Sequence, residues 1–242
     1  MDLGKAVQFV FEDEQWVTKV LLGALITLIP VFGQLALMGY TVAIIRNVMA
    51  GDPRPLPQWD DLGQFFVDGL MLLVVNLIYS IPILILICPL IGGSVAAGTL
   101  QESGREIGNV LATLMGILGA GFGCLMVLYG ILLSLLQPVL QICYAETGEI
   151  GACLRFGEVF GFLFANLGSI LLSILIIWVA GSVVGSIVGF ASLLVAFIPC
   201  IGWLIGGILG LLAIPLSTWL AMFTAYVYGE LGRQAGVQPS VA

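Results

Sequence analysis

Charged residues are scarce in this chain, and histidine is absent. Only 9% of the 242 residues are charged and 60% are hydrophobic, whereas a soluble domain carries about 25% charged residues. The mean hydropathy is +1.17. No Asp, Glu, Lys or Arg occurs within four long intervals: 20–45, 69–101, 107–145 and 159–229. Each interval exceeds the roughly 20 residues that cross a hydrocarbon core, so the sequence predicts helices embedded in lipid.

The scarce and missing residue types also argue against several kinds of binding site. The five cysteines form no C-x-x-C pair, so zinc ligation is not indicated, and we interpret most of them as small packing residues. Without histidine a His-ligated haem is excluded. We expect no metal, no cofactor and no enzymatic activity. The net charge of −7 and the lack of basic clusters argue against nucleic acid as a partner.

Breaks of the form Pro-x-x-Gly divide the apolar intervals. They lie at Pro30–Gly33, Pro89–Gly92 and Pro199–Gly202, and each residue pair interrupts a helix. We predict an all-α transmembrane bundle with about six spans, at 16–30, 33–49, 62–88, 109–144, 160–189 and 203–229. We interpret the breaks as turns, although discontinuous helices that bind substrate are the alternative. An extra short hairpin within 92–120 would change the count.

The whole chain, 1–242, is predicted to be one membrane domain. Residues 1–15 contain four acids and spaced apolar positions, which are typical of an amphipathic helix at the membrane interface and not of a cleavable signal. The placement of six of the seven Lys/Arg residues puts the charged loops on the cytoplasmic side. Tyr40 and Tyr144 each precede a charged loop and a span. Whether residues 108–189 are a duplication of residues 16–88 is therefore left open.

Two glycine ladders flank the last break. The first comprises Gly181, Gly185 and Gly189, and the second Gly202, Gly206 and Gly210. Spacing of four places glycines on one helix face, where backbones can approach closely. We therefore expect the last two helices to pack against each other, with a homo-oligomer interface as the alternative.

Few polar residues are expected inside the bilayer. The amides within the spans, at Gln34, Asn76, Gln137, Gln141 and Asn166, are expected to form interhelical hydrogen bonds. No ionisable residue is predicted at the middle of a span, and Asp68 is expected to face the interface. The acids of the loops match no coordination pattern, so we interpret them as a solvated acidic surface.

The segment from Trp16 to Leu70 resembles a prokaryotic membrane family, domain of unknown function 4013. The most specific part of the likeness is the loop Leu56-Pro57-Gln58-Trp59-Asp60-Asp61, which is followed by Asp68-Gly69. Lys19, Gly23, Pro30, Gly33, Gly39-Tyr40 and Arg46 also match, as do Tyr144-Ala145-Glu146 and Phe156-Gly157-Glu158 in the second half. The resemblance implies a multi-pass protein in the cytoplasmic membrane of a bacterium or archaeon, and it supplies no activity.

Three functions follow from these patterns. The leading hypothesis is a non-enzymatic scaffold or accessory subunit, whose partners are the lipid bilayer and either itself or other membrane proteins. The alternative is a channel or carrier for a small neutral or apolar solute. A membrane enzyme is the third, and it would depend on Asp60, Asp61 or Asp68.

Overall fold

A computed structural model describes residues 3–102, 106–196 and 202–239. Within these ranges all regular structure is helical, which confirms the predicted all-α class. The helices are α1 (Leu3–Glu12), α2 (Trp16–Thr27), α3 (Phe32–Ala50), α4 (Leu62–Glu102), α5 (Glu106–Thr147), α6 (Ile150–Cys153), α7 (Phe156–Ala165), α8 (Leu167–Ala196) and α9 (Gly202–Gln234).

Four helical segments in the described ranges are long and apolar enough to cross a membrane. They are Leu62–Ile85, Glu106–Thr147, Leu167–Leu193 and Gly210–Gln234. Two further apolar helices, Trp16–Thr27 and Phe156–Ala165, are shorter. At about 1.5 Å per residue α2 extends for roughly 18 Å, which is less than the hydrocarbon thickness of about 30 Å. The structure thus supports four candidate spans, and the predicted total of six stays a prediction.

The break at Pro30–Gly33 is confirmed. The N–H of Phe32 donates to the Pro30 carbonyl at 2.8 Å, and Val31 has φ +67° and ψ −60°, which together make a strained γ-turn. A Cβ on Gly33 would overlap the carbonyl oxygen of Ile26. Only glycine therefore lets α3 start this close to the end of α2.

The break predicted at Pro89–Gly92 is wrong, because α4 continues through Pro82 and Pro89 to Glu102. A membrane helix can continue through proline where neighbouring helices, Ser/Thr side chains or local changes in helix geometry satisfy the freed backbone groups. Gly93 lies against the side chain of Met115 on α5, which packs beside this part of α4. The third predicted break, Pro199–Gly202, falls mainly on 197–201, outside the described residues, and α9 begins at Gly202.

The chain divides into two compact units. One comprises Met1–Val74 and Pro138–Ala242, and the other is Val75–Gln137. Within the second unit, α4 and α5 form a hairpin in which Gln137 Nε2 donates to Asn76 Oδ1 at 2.7 Å and the Tyr129 hydroxyl donates to the Tyr79 carbonyl at 2.6 Å. The expected interhelical amide bond is thereby confirmed for this pair.

In the first unit, α9 packs against α1, α2, α3 and α8. Helix α1 is held by the stacking of Phe9 on Tyr226, with ring centroids 4.2 Å apart, and Val10 is fully buried. The predicted N-terminal helix is therefore present as α1, and its location at a membrane interface stays a prediction. Helix α6 and the first residues of α7 lie within 146–158, the charged loop predicted after Tyr144.

Candidate functional site

The loop between α3 and α4 is bound to the helices around it through three consecutive carbonyl groups. The Pro55 carbonyl accepts from Asn47 Nδ2 at 3.0 Å, the Leu56 carbonyl from Lys19 Nζ at 2.7 Å and the Pro57 carbonyl from the Tyr40 hydroxyl at 2.9 Å. Prolines supply no N–H of their own, so carbonyls are the groups through which this loop can be held. The proline-rich loop is consequently an ordered part of the fold.

Trp59 connects this loop to α2 and α3. Its indole stacks on the Tyr40 ring with centroids 4.0 Å apart and planes inclined by 4°, and its Nε1 donates to the Lys19 carbonyl at 2.9 Å. A Cβ on Gly23 would lie 2.8 Å from the same indole. The sequence marks Trp59 only as part of the family-like loop motif, and the structure buries it as the centre of an aromatic cluster with Tyr40 and Phe65.

Lys19 and Asp13 form a buried ion pair beside the loop. Lys19 Nζ lies 2.6 Å from Asp13 Oδ2, and each side chain is 10% exposed. Burial opposes ionisation of Asp13, but the hydrogen bonds from Lys19 and the Gln15 N–H outweigh it and lower the pKa of this carboxyl. The pair fixes the connection between α1 and α2.

A second buried network joins α3, α4 and α5. Arg46 Nη1 donates to Asp68 Oδ2 at 2.8 Å, the Tyr144 hydroxyl donates to Asp68 Oδ1 at 3.0 Å, and Arg46 Nε donates to the Ala145 carbonyl at 3.1 Å. Asp68 is only 7% exposed. The prediction that Asp68 faces the interface is therefore wrong, because a cation and a hydroxyl from two other helices compensate its burial.

Two glycines let α3 and α4 touch along their backbones. A Cβ on Gly39 would overlap the Phe65 carbonyl, and a Cβ on Gly69 would overlap the Leu35 carbonyl. Each glycine thus faces the other helix, and neither position has room for a side chain. This contact places Arg46 on α3 within reach of Asp68 on α4.

The remaining acids of the loop motif are arranged differently. Asp60 and Asp61 are exposed, and the Asp61 carbonyl accepts from the Phe65 N–H at 3.1 Å as α4 begins. Leu56, in contrast, is buried at 3% exposure. The structure therefore brings Leu56, Pro57, Trp59, Asp68 and Gly69 into contacts with the helices and leaves the paired aspartates at the surface. Among the described residues, no three Asp, Glu or Cys side chains are grouped to hold a metal ion.

The glycine ladders lie on α8 and α9, which do pack against each other. A Cβ on Gly181 would meet Leu220 at 3.8 Å, whereas a Cβ on Gly185, Gly189 or Gly210 would meet nothing within 4 Å. The helix contact is built from Phe223 and Val227 together with partly buried neighbours that include Ile177 and Trp219. The role predicted for the ladders is untested, and the surroundings of Gly202 and Gly206 lie outside the described side chains.

The sequence did not predict that the thiols of Cys143 and Cys153 lie close together. Cys153 on α6 lies against the turn of α5 that carries Cys143, with its Sγ 3.9 Å from the Leu140 carbonyl oxygen, although we had interpreted most of the cysteines as packing residues. They are separated by nine residues and match no spacing motif. Only the reversal of the chain between α5 and α6 brings them together, so no signal in the sequence announces the pair.

Among the described residues, four helical segments are long and apolar enough to cross a membrane, which is the feature of a multi-helix membrane protein. The chain belongs to the family described as "Protein of unknown function (DUF4013)", which matches residues 22–193 and confirms the resemblance read from the sequence. No curated protein matches the chain. No solved structure matches it either.

Proposed function

We propose that this protein is a non-enzymatic membrane scaffold or accessory subunit. The observation that most supports this proposal is that Asp13, Lys19, Arg46 and Asp68 form ion pairs with one another inside the protein. Catalytic or transporting groups must be free to engage a substrate. These four side chains instead hold helices and a loop in place.

The outer surface supports the same role. On α8, Trp178 is 70% exposed, Val183 55% and Ile187 62%, and α8 carries no ionisable residue between Leu167 and Ala196. Such a face is covered by lipid or by the helices of another membrane protein. A helix with a long exposed apolar face is suited to contacting partners within the bilayer.

Site-specific photocrosslinking in native membranes tests this role. A photoreactive phenylalanine analogue at Trp178 or Ile187 should give discrete protein adducts after irradiation. The matched control is Ile177 on the same helix, which packs against the Phe223 and Val227 cluster and should give no new intermolecular band. Lipid adducts alone at all three positions, with a monomer in mild detergent, would contradict the proposal.

A channel or carrier is the second candidate, and a groove of about 390 Å³ between α2 and α9 favours it. Its lining is apolar and includes Leu21, Leu25, Leu28 and Pro215. Glycerol flux into proteoliposomes distinguishes the two functions. Flux above that of empty vesicles, reduced by Leu25→Trp in the groove but not by Leu22→Trp beside it, would favour the carrier over the scaffold.

A further inference from the structure

The thiols of Cys143 and Cys153 come from two separate helices and meet near the end of α5. Cys143 lies one turn before α5 ends at Thr147, and Cys153 is the last residue of α6. Cys153 Sγ lies 3.9 Å from the carbonyl oxygen of Leu140, one turn before Cys143 on α5. Ala152 and Arg155, on either side of Cys153 in the chain, line the same cavity as Cys143. Both cysteines are in the reduced form.

The two thiols differ in access. Cys143 is partly exposed and lines a cavity of about 220 Å³, together with Arg155, Glu146 and Glu158. Cys153 is fully buried, and the neighbouring Cys143 thiol, followed by burial, raises the pKa of the Cys153 thiol. The accessible Cys143 can meet an incoming disulfide first, and the buried Cys153, once deprotonated, can attack the mixed disulfide that forms on Cys143.

We propose that Cys143 and Cys153 form a reversible thiol–disulfide site that is oxidised by a low-molecular-weight disulfide. The Cys143 thiolate attacks one sulfur of the oxidant, forms a mixed disulfide and releases one thiolate. Cys153 then loses its proton to solvent in the cavity and attacks Cys143 Sγ, which releases the second thiolate. The protein dithiol loses two electrons, and the oxidant is reduced to two thiols.

The location gives this bond a structural consequence. A disulfide would close a short ring that contains Tyr144 and Ala145, the two residues that contact Asp68 and Arg46. Oxidation would therefore fix α6 to the part of α5 that completes the buried ion-pair network. Intracellular disulfides are usually transient and redox-sensing, which fits a site on a predicted cytoplasmic loop.

The test uses the full-length chain in detergent, with Cys88, Cys124 and Cys200 replaced by alanine. The protein is titrated with glutathione disulfide, quenched with a maleimide and weighed intact. We expect both maleimide labels to disappear together, with a loss of two hydrogens and no retained glutathione. Dithiothreitol should restore both labels. The matched variant Cys153→Ala should stop at the mixed disulfide and retain one glutathione.

Two results would overturn the site. The first is a stable glutathione adduct on Cys143 while Cys153 is present. The second is independent labelling of the two thiols throughout the titration. If the alanine background fails to fold, chymotryptic mapping of the oxidised wild-type chain replaces it, because cleavage after Tyr144 separates the thiols. A peptide pair linked through Cys143 and Cys153 supports the proposal, and its absence refutes it.

Discussion

The buried ion pair between Arg46 and Asp68 predicts a large and specific loss of stability. The Asp68 carboxylate accepts from Arg46 at 2.8 Å and from Tyr144 at 3.0 Å. The two charged side chains are 16% and 10% exposed. Removing one member of such a pair leaves the other charge buried without a partner, which costs about 3–5 kcal/mol.

Three variants separate the contributions. Asp68→Ala should lower the free energy of unfolding by about 3–5 kcal/mol. Asp68→Asn also leaves Arg46 without an anionic partner but keeps an acceptor for Tyr144, so we expect a loss at the lower end of that range, about 3 kcal/mol. The double variant Arg46→Met with Asp68→Leu leaves no orphan charge. Its loss should therefore be smaller, by about 1–3 kcal/mol, than the sum of the losses in Arg46→Met alone and Asp68→Leu alone.

The measurement is unfolding by sodium dodecyl sulfate in mixed micelles, followed by circular dichroism. The control is Glu158→Gln in the pair with Arg155, where the side chains are 69% and 66% exposed, and it should cost at most about 1 kcal/mol. The reasoning fails if Asp68→Ala is no more costly than this control. It also fails if the losses in the double variant are additive.

Three further variants test the contact between α3 and α4, the ion pair of Asp13 with Lys19, and the turn at Val31. Gly39→Ala should cost about 1–3 kcal/mol, because the added methyl overlaps the backbone of α4; Gly63→Ala, with open space around it, should not destabilise. The lowered pKa of Asp13 adds stability above its ordinary pKa, and this is lost as pH falls through the folded pKa. Lowering the pH below about 4 should therefore reduce the free energy of unfolding of the wild type more steeply than that of Asp13→Asn, in which Lys19 has no carboxylate partner. Val31→Gly should raise stability by about 1 kcal/mol, since Val31 has positive φ.

Each of these variants has a clear contrary outcome. Equal unfolding free energies for Gly39→Ala and Gly63→Ala would mean that α3 and α4 can separate at no cost. Parallel pH profiles for the wild type and Asp13→Asn, with exposed Asp52→Asn as the charge-matched control, would show that the Lys19 pair does not contribute. A less stable Val31→Gly would show that the γ-turn carries no strain. The readout is the same micelle unfolding curve throughout.

Local signals in the sequence predicted several elements correctly. Proline followed by glycine marked the turn after α2, because the turn depends only on residues adjacent in the chain. The same signal failed at Pro89–Gly92, where α4 continues. The difference lies in the surroundings: α5 packs beside α4 at Gly93, and a single sequence does not show which helix lies alongside another.

The contacts of the site depend on distances that the sequence cannot supply. Asp68 was identified as a residue of interest, but its partners lie at Arg46 and Tyr144, on two other helices. The likeness to a family marked Trp59 without indicating that it stacks on Tyr40. Pairings between side chains far apart in the chain are created by helix packing, and hydrophobic periodicity predicts helices but not their neighbours.

The carbonyls of Pro55, Leu56 and Pro57 each accept a hydrogen bond from a surrounding helix. This affects how the membrane topology of the protein should be mapped. A reporter or epitope inserted there would separate Asn47, Lys19 and Tyr40 from their acceptors, so that a failed insertion would be mistaken for a segment within the bilayer. The turn at Gly148, with φ +68°, next to exposed Glu149, offers a safer position for such a tag.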